Sequence, residues 1–414
     1  MFRPGKDLVH VAGQCFDDAE REALVEVGLR KPLQLTAGRL HAEFEKKLAE
    51  RFGVKHAIAV NSGSSANLVA LAALGLPVGS RVVTVACAFP TTVAPIVQLG
   101  LVPVFVDVGP DGNVDPVALR DGMLTTTGNA QPPRAIVLAH ALGFPFDLDK
   151  VQNLAEAWEI PLLADSCDAA GATWHGKQIT SLADVSTLSF YPAHHITTGE
   201  GGAVLTSNDE IARAVRSLRD WGRDCTCPPD HDNTCGKRFE QQFGGLPFGY
   251  DHKYVYTRLG YNLRMTEMQA AIGLVQLAKL DSFIERRRET WGWYRNALQD
   301  LHERDLLDFP EPALEAEVSP FGFLVTVREG APFTREQLVA RLEARRIQTR
   351  PLFAGNLIRH PAMHGVNCEV AAPHRWLAQT DRLMQRAFWI GVYPGVTDEM
   401  RKWVAQSFHE ECRP

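Results

Sequence analysis

Seven short apolar runs recur along the first half of the chain, and their spacing is the strongest constraint on its fold. HAIAV, RVVTVACAF, VPVFVDV, RAIVLAHALG, PLLADSC, VSTLSFYP and GAVLTSN are each of strand length and rich in Val, Ile and Leu. Continuous rather than alternating apolar character is what a strand shows when both of its faces are covered. Helical or turn segments separate the runs, beginning with SSANLVALAALGL, so the pattern predicts an α/β sheet sandwiched between helices. Ser207 followed three residues later by Glu210 reads as a capping box, opening a helix whose apolar face is Ile211, Val215 and Leu218.

At 414 residues the chain exceeds what one core commonly fills. A large α/β domain over 1–285 and a smaller α+β domain over 286–414 are expected. The bridge is the amphipathic stretch beginning TEMQAAIGLVQLAKL; beyond it FGFLVTVRE reads as a strand and TREQLVARLEARRI as a helix carried by Leu338, Leu342 and Ile347. One segment breaks the rhythm. Residues 223–257 are rich in Gly, Pro and Asp, have no periodic apolar face and contain three cysteines, which favours a functional loop.

A net charge of −6 supplies no basic excess for a nucleic-acid backbone. No run approaches the ~18–20 apolar residues of a membrane span, and MFRPGKDLVHVAGQ lacks the apolar run of a signal peptide. A cytoplasmic setting is expected, in which eight cysteines point to thiols, metal ligands or catalysis before disulfides.

Three segments carry chemistry. Asn61-Ser62-Gly63-Ser64-Ser65 lies between a strand and a helix, where amides, hydroxyls and the helix dipole suit an anion; an ordinary strand–helix turn uses the same residues. Asp165 ends the run PLLAD at the edge where open α/β sheets bind ligands. It can pair with a protonated pyridine nitrogen, or merely turn the chain. His194 and His195 follow VSTLSFYPA; adjacent side chains diverge, which argues against a shared metal and for one of them as an acid/base.

SGSSAN, LLADSCDAAGA, the Ser-Phe segment before GEGGAV, and GYNLRMTEMQAAIG together resemble the sugar aminotransferases of the DegT/DnrJ/EryC1/StrS family, from about residue 30 to near the C-terminus. The resemblance implies the PLP-dependent transferase fold type I (aspartate-aminotransferase-like), with active sites at a homodimer interface. Where such aminotransferases carry Ser-Phe-x-x-x-Lys, this sequence has Ser189-Phe190-Tyr191-Pro192-Ala193-His194, and no lysine occurs between Lys177 and Lys237. The family member it then resembles is a dehydrase using pyridoxamine 5'-phosphate (PMP) untethered, with His194 as base. Carried over residue by residue, Gly63, Ser64, Ser189 and Asn262 hold the phosphate, Asn262 from the other subunit. Phe89 stacks on the ring, Asp168 and Tyr191 tune the site, and Arg350 and Asn356 contact the sugar nucleotide.

Cys167, Cys225, Cys227 and Cys235 give the spacing C-x57-C-x-C-x7-C. Four thiolates suit a [2Fe-2S] cluster, and the spacing is similar to that of the iron–sulfur 3-dehydrases of this family. Structural zinc prefers tighter pairs, and buried free thiols are a further alternative.

The implied reaction is C3 dehydration and reductive deoxygenation of a nucleotide-linked 4-keto-6-deoxyhexose, on CDP or dTDP. Electrons would come from an external reductase or ferredoxin. A PLP-dependent sugar aminotransferase and a non-enzymatic zinc or redox-sensing protein are the alternatives.

Overall fold

The computed structural model describes residues 2–124, 131–227, 231–371 and 376–413. All seven apolar runs form strands of one sheet: β1 (His56–Val60), β2 (Arg81–Val85), β3 (Val102–Val106), β4 (Ala135–Ala139), β5 (Leu162–Asp165), β8 (Val185–Ser189) and β9 (Gly202–Thr206). Between β5 and β8 lies the small hairpin β6 (Thr173–Trp174) and β7 (Lys177–Gln178), to which β11 (Ala316–Glu317) adds a strand. The main sheet has the order β1-β9-β8-β5-β4-β2-β3 and ends on the short strand β14 (Glu369–Val370). Only β9 runs against the rest, pairing antiparallel with both β1 and β8.

Alternate side chains of single strands enter opposite cores. Val83, Ile136 and Leu138 join one buried cluster, whereas Val82 and Val137 join another. Both faces are therefore covered, which is why the runs were apolar without alternation.

The helix after β9 is Asp209–Arg219, but its cap is Asn208, not Ser207. The Asn208 carboxamide oxygen accepts from the amides of Glu210 and Ile211, while the Ser207 hydroxyl accepts from the Lys55 amide. Asn caps as well as Ser, and one residue of drift suffices to move the box.

A second sheet carries the C-terminal core, in the order β10 (Leu307–Asp308), β12 (Gly322–Val327), β15 (Ala387–Gly391), β13 (Thr349–Pro351). Phe323, Val325, Phe388 and Ile390 pack there with Leu338 and Leu342 of the helix Arg335–Ala344. Helix Glu267–Ala297 runs through position 285 without a break. Its Ala270, Leu280 and Ile284 belong to a core beside β1 and β9, and its Trp291 and Tyr294 to the C-terminal core. The helix is thus shared by both parts. No described helix is long and apolar enough to cross a membrane.

Candidate active site

The C-terminal ends of β1, β4, β5 and β8 open into one cavity of about 1030 Å³. Ligands of open α/β sheets bind at this edge. Gly63, Ser64, Phe89, Asp165, Cys167, Asp168, Ser189, Tyr191, His194 and Arg350 all line it.

The anion end is built by the turn after β1. Ser62 caps the helix Gly63–Ala73, its hydroxyl accepting from the Ser65 amide at 3.1 Å. The amides of Gly63 and Ser64 come next to it at the helix start and have no intrahelical acceptor. Ser189, at the end of β8, packs so closely that a Cβ on Gly63 would lie 2.6 Å from the Ser189 Cβ. Glycine is required by this close approach, leaving a cradle of amides and hydroxyls at the positive end of a helix.

Asp165 is fixed from both sides. One carboxylate oxygen accepts from Asn67 Nδ2 at 2.8 Å and from the Thr92 hydroxyl at 2.7 Å; the other accepts from the Cys167 amide at 3.1 Å. Asn67 is itself held by the Thr187 hydroxyl at 2.6 Å. A carboxyl oriented in this way by neutral donors is positioned to pair with a cation such as a pyridinium N–H. Phe89, 54% exposed, precedes the helix Pro90–Gln98 and meets Phe353 edge-on, so its ring face is open to a flat ligand.

His194 is half-buried against Phe321, and its Nδ1 lies 3.6 Å from Asp168 Oδ1. Burial, partly opposed by the charge of Asp165, brings the imidazole down to about 4. Burial, with the repulsion of Asp165, pushes the Asp168 carboxyl well above its ordinary range. Burial therefore favours the neutral imidazole on one side and the protonated carboxyl on the other. His195 points elsewhere: its Nε2 bonds the Ser319 carbonyl at 3.0 Å, and burial holds it well below the usual histidine range.

Sequence reasoning missed Arg287. Buried on the long helix, it donates to the carbonyls of Ala193 and His194 at 3.4 and 3.1 Å, and to those of Pro320 and Phe321 at 3.4 and 3.3 Å. It ties the His194 turn to the C-terminal core. The available signal was its register: within the run Arg286-Arg287-Arg288, Arg287 alone falls at helical spacing with Leu280, Ile284, Trp291 and Tyr294.

Two expected residues lie outside the cavity lining. Asn262 is exposed, with its backbone bridged to Asp220. Asn356 is buried and used within the protein: its Nδ2 donates to Asp381 at 2.8 Å and its Oδ1 accepts from the Ile358 amide at 3.2 Å. The expected sugar-nucleotide contact of Asn356 is thus not supported. The reason is that the RPLFAGN turn needs its amide as a helix cap.

The cysteines divide. Cys225, Cys227 and Cys235 bring their sulfurs within 4.8 Å of one another in a separate small pocket. Hydrogen bonds, first from Thr234, pull the Cys227 thiol down to about 6. Cys167 is not gathered with them in this chain. The turn after β5 seats it beside Gly63 and Ser189, where burial pushes its thiol up. Three converging sulfurs fit a metal or cluster site; the fourth expected thiolate faces the large cavity.

A strand-edge cradle for an anion, a caged carboxylate and an open aromatic face define a type I PLP-dependent enzyme. Residues 14–409 match the DegT/DnrJ/EryC1/StrS aminotransferase family, and the chain belongs to it. It is 45% identical, over 99% of its length and 93% of the relative's, to the lipopolysaccharide biosynthesis protein RfbH of Salmonella typhimurium. It is also 45% identical to the dTDP-4-dehydro-2,6-dideoxy-D-glucose 3-dehydratase of Saccharopolyspora spinosa, over 99% of this chain and 87% of that one. A solved structure of E. coli GDP-4-keto-6-deoxy-D-mannose-3-dehydratase with bound hydrated PLP superposes with a TM-score of 0.83 at 26% identity. That match covers 96% of this chain and 98% of the other.

Proposed function

We propose that the protein is a PMP-dependent 3-dehydrase of a nucleotide-linked 4-keto-6-deoxyhexose, coupled to a [2Fe-2S] cluster that makes the dehydration reductive. The observation that carries this reading is His194. By the motif resemblance it stands where an aminotransferase of this family has its lysine, half-buried, its imidazole brought down to about 4, and in the same cavity as Asp165.

PMP, when bound, supplies an amine for the sugar ketone and an electron sink for proton loss beside it. Gly63, Ser64 and Ser189 hold its phosphate, Asp165 its ring nitrogen and Phe89 a ring face. His194 takes the proton, an acceptor role open to neutral imidazole. Asp168, whose carboxyl burial biases toward the protonated form, lies beside it at 3.6 Å. Arg350, exposed on β13 at the cavity wall, offers its guanidinium to the nucleotide phosphates.

The three loop cysteines supply thiolate ligands to the cluster, and a ferredoxin or flavin reductase is the electron source. Asn262 is exposed; by the family resemblance it would reach into the site of a second copy in a homodimer.

The test is an anaerobic assay with CDP- and dTDP-linked 4-keto-6-deoxyhexoses, PMP and a ferredoxin system. Loss of the C3 hydroxyl is expected. Glutamate-dependent formation of a 4-amino sugar, with a borohydride-trapped lysine adduct, would instead establish an aminotransferase.

A further inference from the structure

The C-terminal sheet brings three aromatic rings to the wall of the large cavity. Phe321 stands just before β12, Trp389 on β15 and Phe353 just after β13, and all three line that cavity. β15 lies between the other two strands, with Trp389 in register with Leu324 of β12 and Arg350 of β13. The indole can lie against β12 because residue 322 is glycine; a Cβ there would come within 2.5 Å of the Trp389 Cε3. The Phe321 and Trp389 centroids are 5.3 Å apart, and Phe353 stands 6.5 Å from each, ordinary spacings for tilted rings in contact.

Phe353 is strained. Its φ is +33°, on the left-handed side that bulky residues rarely enter. The turn is closed by the Gly355 amide, which donates to the carbonyl of buried Leu352 at 3.0 Å. Strain of this kind at a cavity wall points to a role for the side chain it places there. Polar atoms among the rings are already engaged. Trp389 Nε1 donates to the Pro351 carbonyl at 3.1 Å, Gln348 Oε1 accepts from the Val11 amide at 3.2 Å, and His360 Nε2 lies 2.6 Å from the Ala354 carbonyl oxygen. The cluster thus offers hydrocarbon to a ligand.

Its position relates that hydrocarbon to the substrate. Phe321 meets His194 at 5.1 Å, and Phe353 meets Phe89 at 6.3 Å. On the function proposed above, the sugar is held at C4, where His194 acts, and carries its nucleotide at C1, across the ring. The carbons beside C4 are C3, whose hydroxyl is lost, and C5, which bears C6. A departing hydroxyl calls for polar groups such as His194 and Asp168, so the aromatic wall fits the other neighbour.

We infer that Phe321 and Phe353, backed by Trp389, form the subsite for the C6 methyl group and select 6-deoxyhexoses over sugars with a C6 hydroxyl. The inference rests on the proposed nucleotide-sugar substrate and deepens it. A methyl group is favourably removed from water by the rings, whereas a hydroxyl in its place is desolvated without a hydrogen-bond partner. Discrimination of about 10²-fold is expected, the usual scale for a hydroxyl added in an apolar pocket.

The test is titration calorimetry of the full chain, with PMP present, against dTDP-6-deoxyglucose and dTDP-glucose and against the corresponding CDP sugars. Lacking a keto group, none of them reacts. The wild type should bind a 6-deoxy sugar about 10²-fold more tightly than its 6-hydroxy partner. Phe353→Asn and Phe353→Gly both suit a left-handed backbone and remove the ring, and each should narrow the preference to below about tenfold. Equal wild-type binding within a pair overturns the subsite and leaves the nucleotide-sugar reading standing. Binding of neither pair removes that reading and the inference with it. A preference unchanged in both variants overturns the assignment to these rings.

Discussion

His194 and Asp168 face each other at 3.6 Å, yet burial drives them in opposite directions, one toward neutral base and the other toward neutral acid. Two consequences follow for substitutions. His194→Asn should lower C3 dehydration by about 10²–10⁴-fold, the usual worth of a positioned general base, while PMP binding persists. Single-turnover dehydration beside a PMP titration checks this, and undiminished turnover would remove His194 as base. Asp168→Asn replaces a carboxyl that burial biases toward its neutral form by a near-isostere and should cost less than tenfold. Asp165→Asn instead removes a charge caged by Asn67, Thr92 and Cys167, and should weaken PMP affinity and turnover together. Equal effects at positions 165 and 168 would contradict the separate roles proposed for the two carboxyls.

The strands were legible at the level of elements because burial on both faces writes itself into composition. Their edges and the links between them were not. The cap falls on Asn208 because Asn and Ser are equally good caps, and the Ser207 hydroxyl is taken by the Lys55 amide. The site was legible where chemistry is local: Gly63, Asp165, Ser189 and His194 sit at strand ends and share one cavity. It was illegible where contacts cross the chain, as with Arg287 on the His194 turn. Asn356 looked like a binding residue because a capping amide and a ligand amide are the same group. The helix Gly63–Ala73 offers a test at this scale. Gly63→Ala forces a Cβ against Ser189, and overpacking of this kind costs typically about 1–3 kcal/mol. Because the strain falls on the anion cradle, PMP affinity should drop by more than tenfold, measured by calorimetry with free PMP. An unchanged affinity would place the phosphate elsewhere.

Across the whole molecule, burial of titratable groups makes stability a function of pH. Burial lowers His41, despite the attraction of Glu45; it takes His140 down to about 3 and His194 to about 4, and holds His195 well below its ordinary value. Unfolded histidines take up protons near pH 6.5. From there down to about 4, the unfolded chain binds more protons than the folded one, so stability rises with pH and is lost as pH falls. Asp168 acts in the opposite sense, because the folded state keeps a proton that the unfolded chain releases above its ordinary carboxyl range. Asp111, likewise raised by burial, acts in the same sense, so these carboxyls offset part of the histidine contribution without reversing it. Urea unfolding at pH 7.5, 6.5 and 5.5 should show a midpoint that is nearly constant above 6.5 and then falls, with an unchanged slope. A midpoint independent of pH across this range would mean that these histidines are already solvated or protonated in the folded protein. The neutral state assigned to His194 would fall with that result.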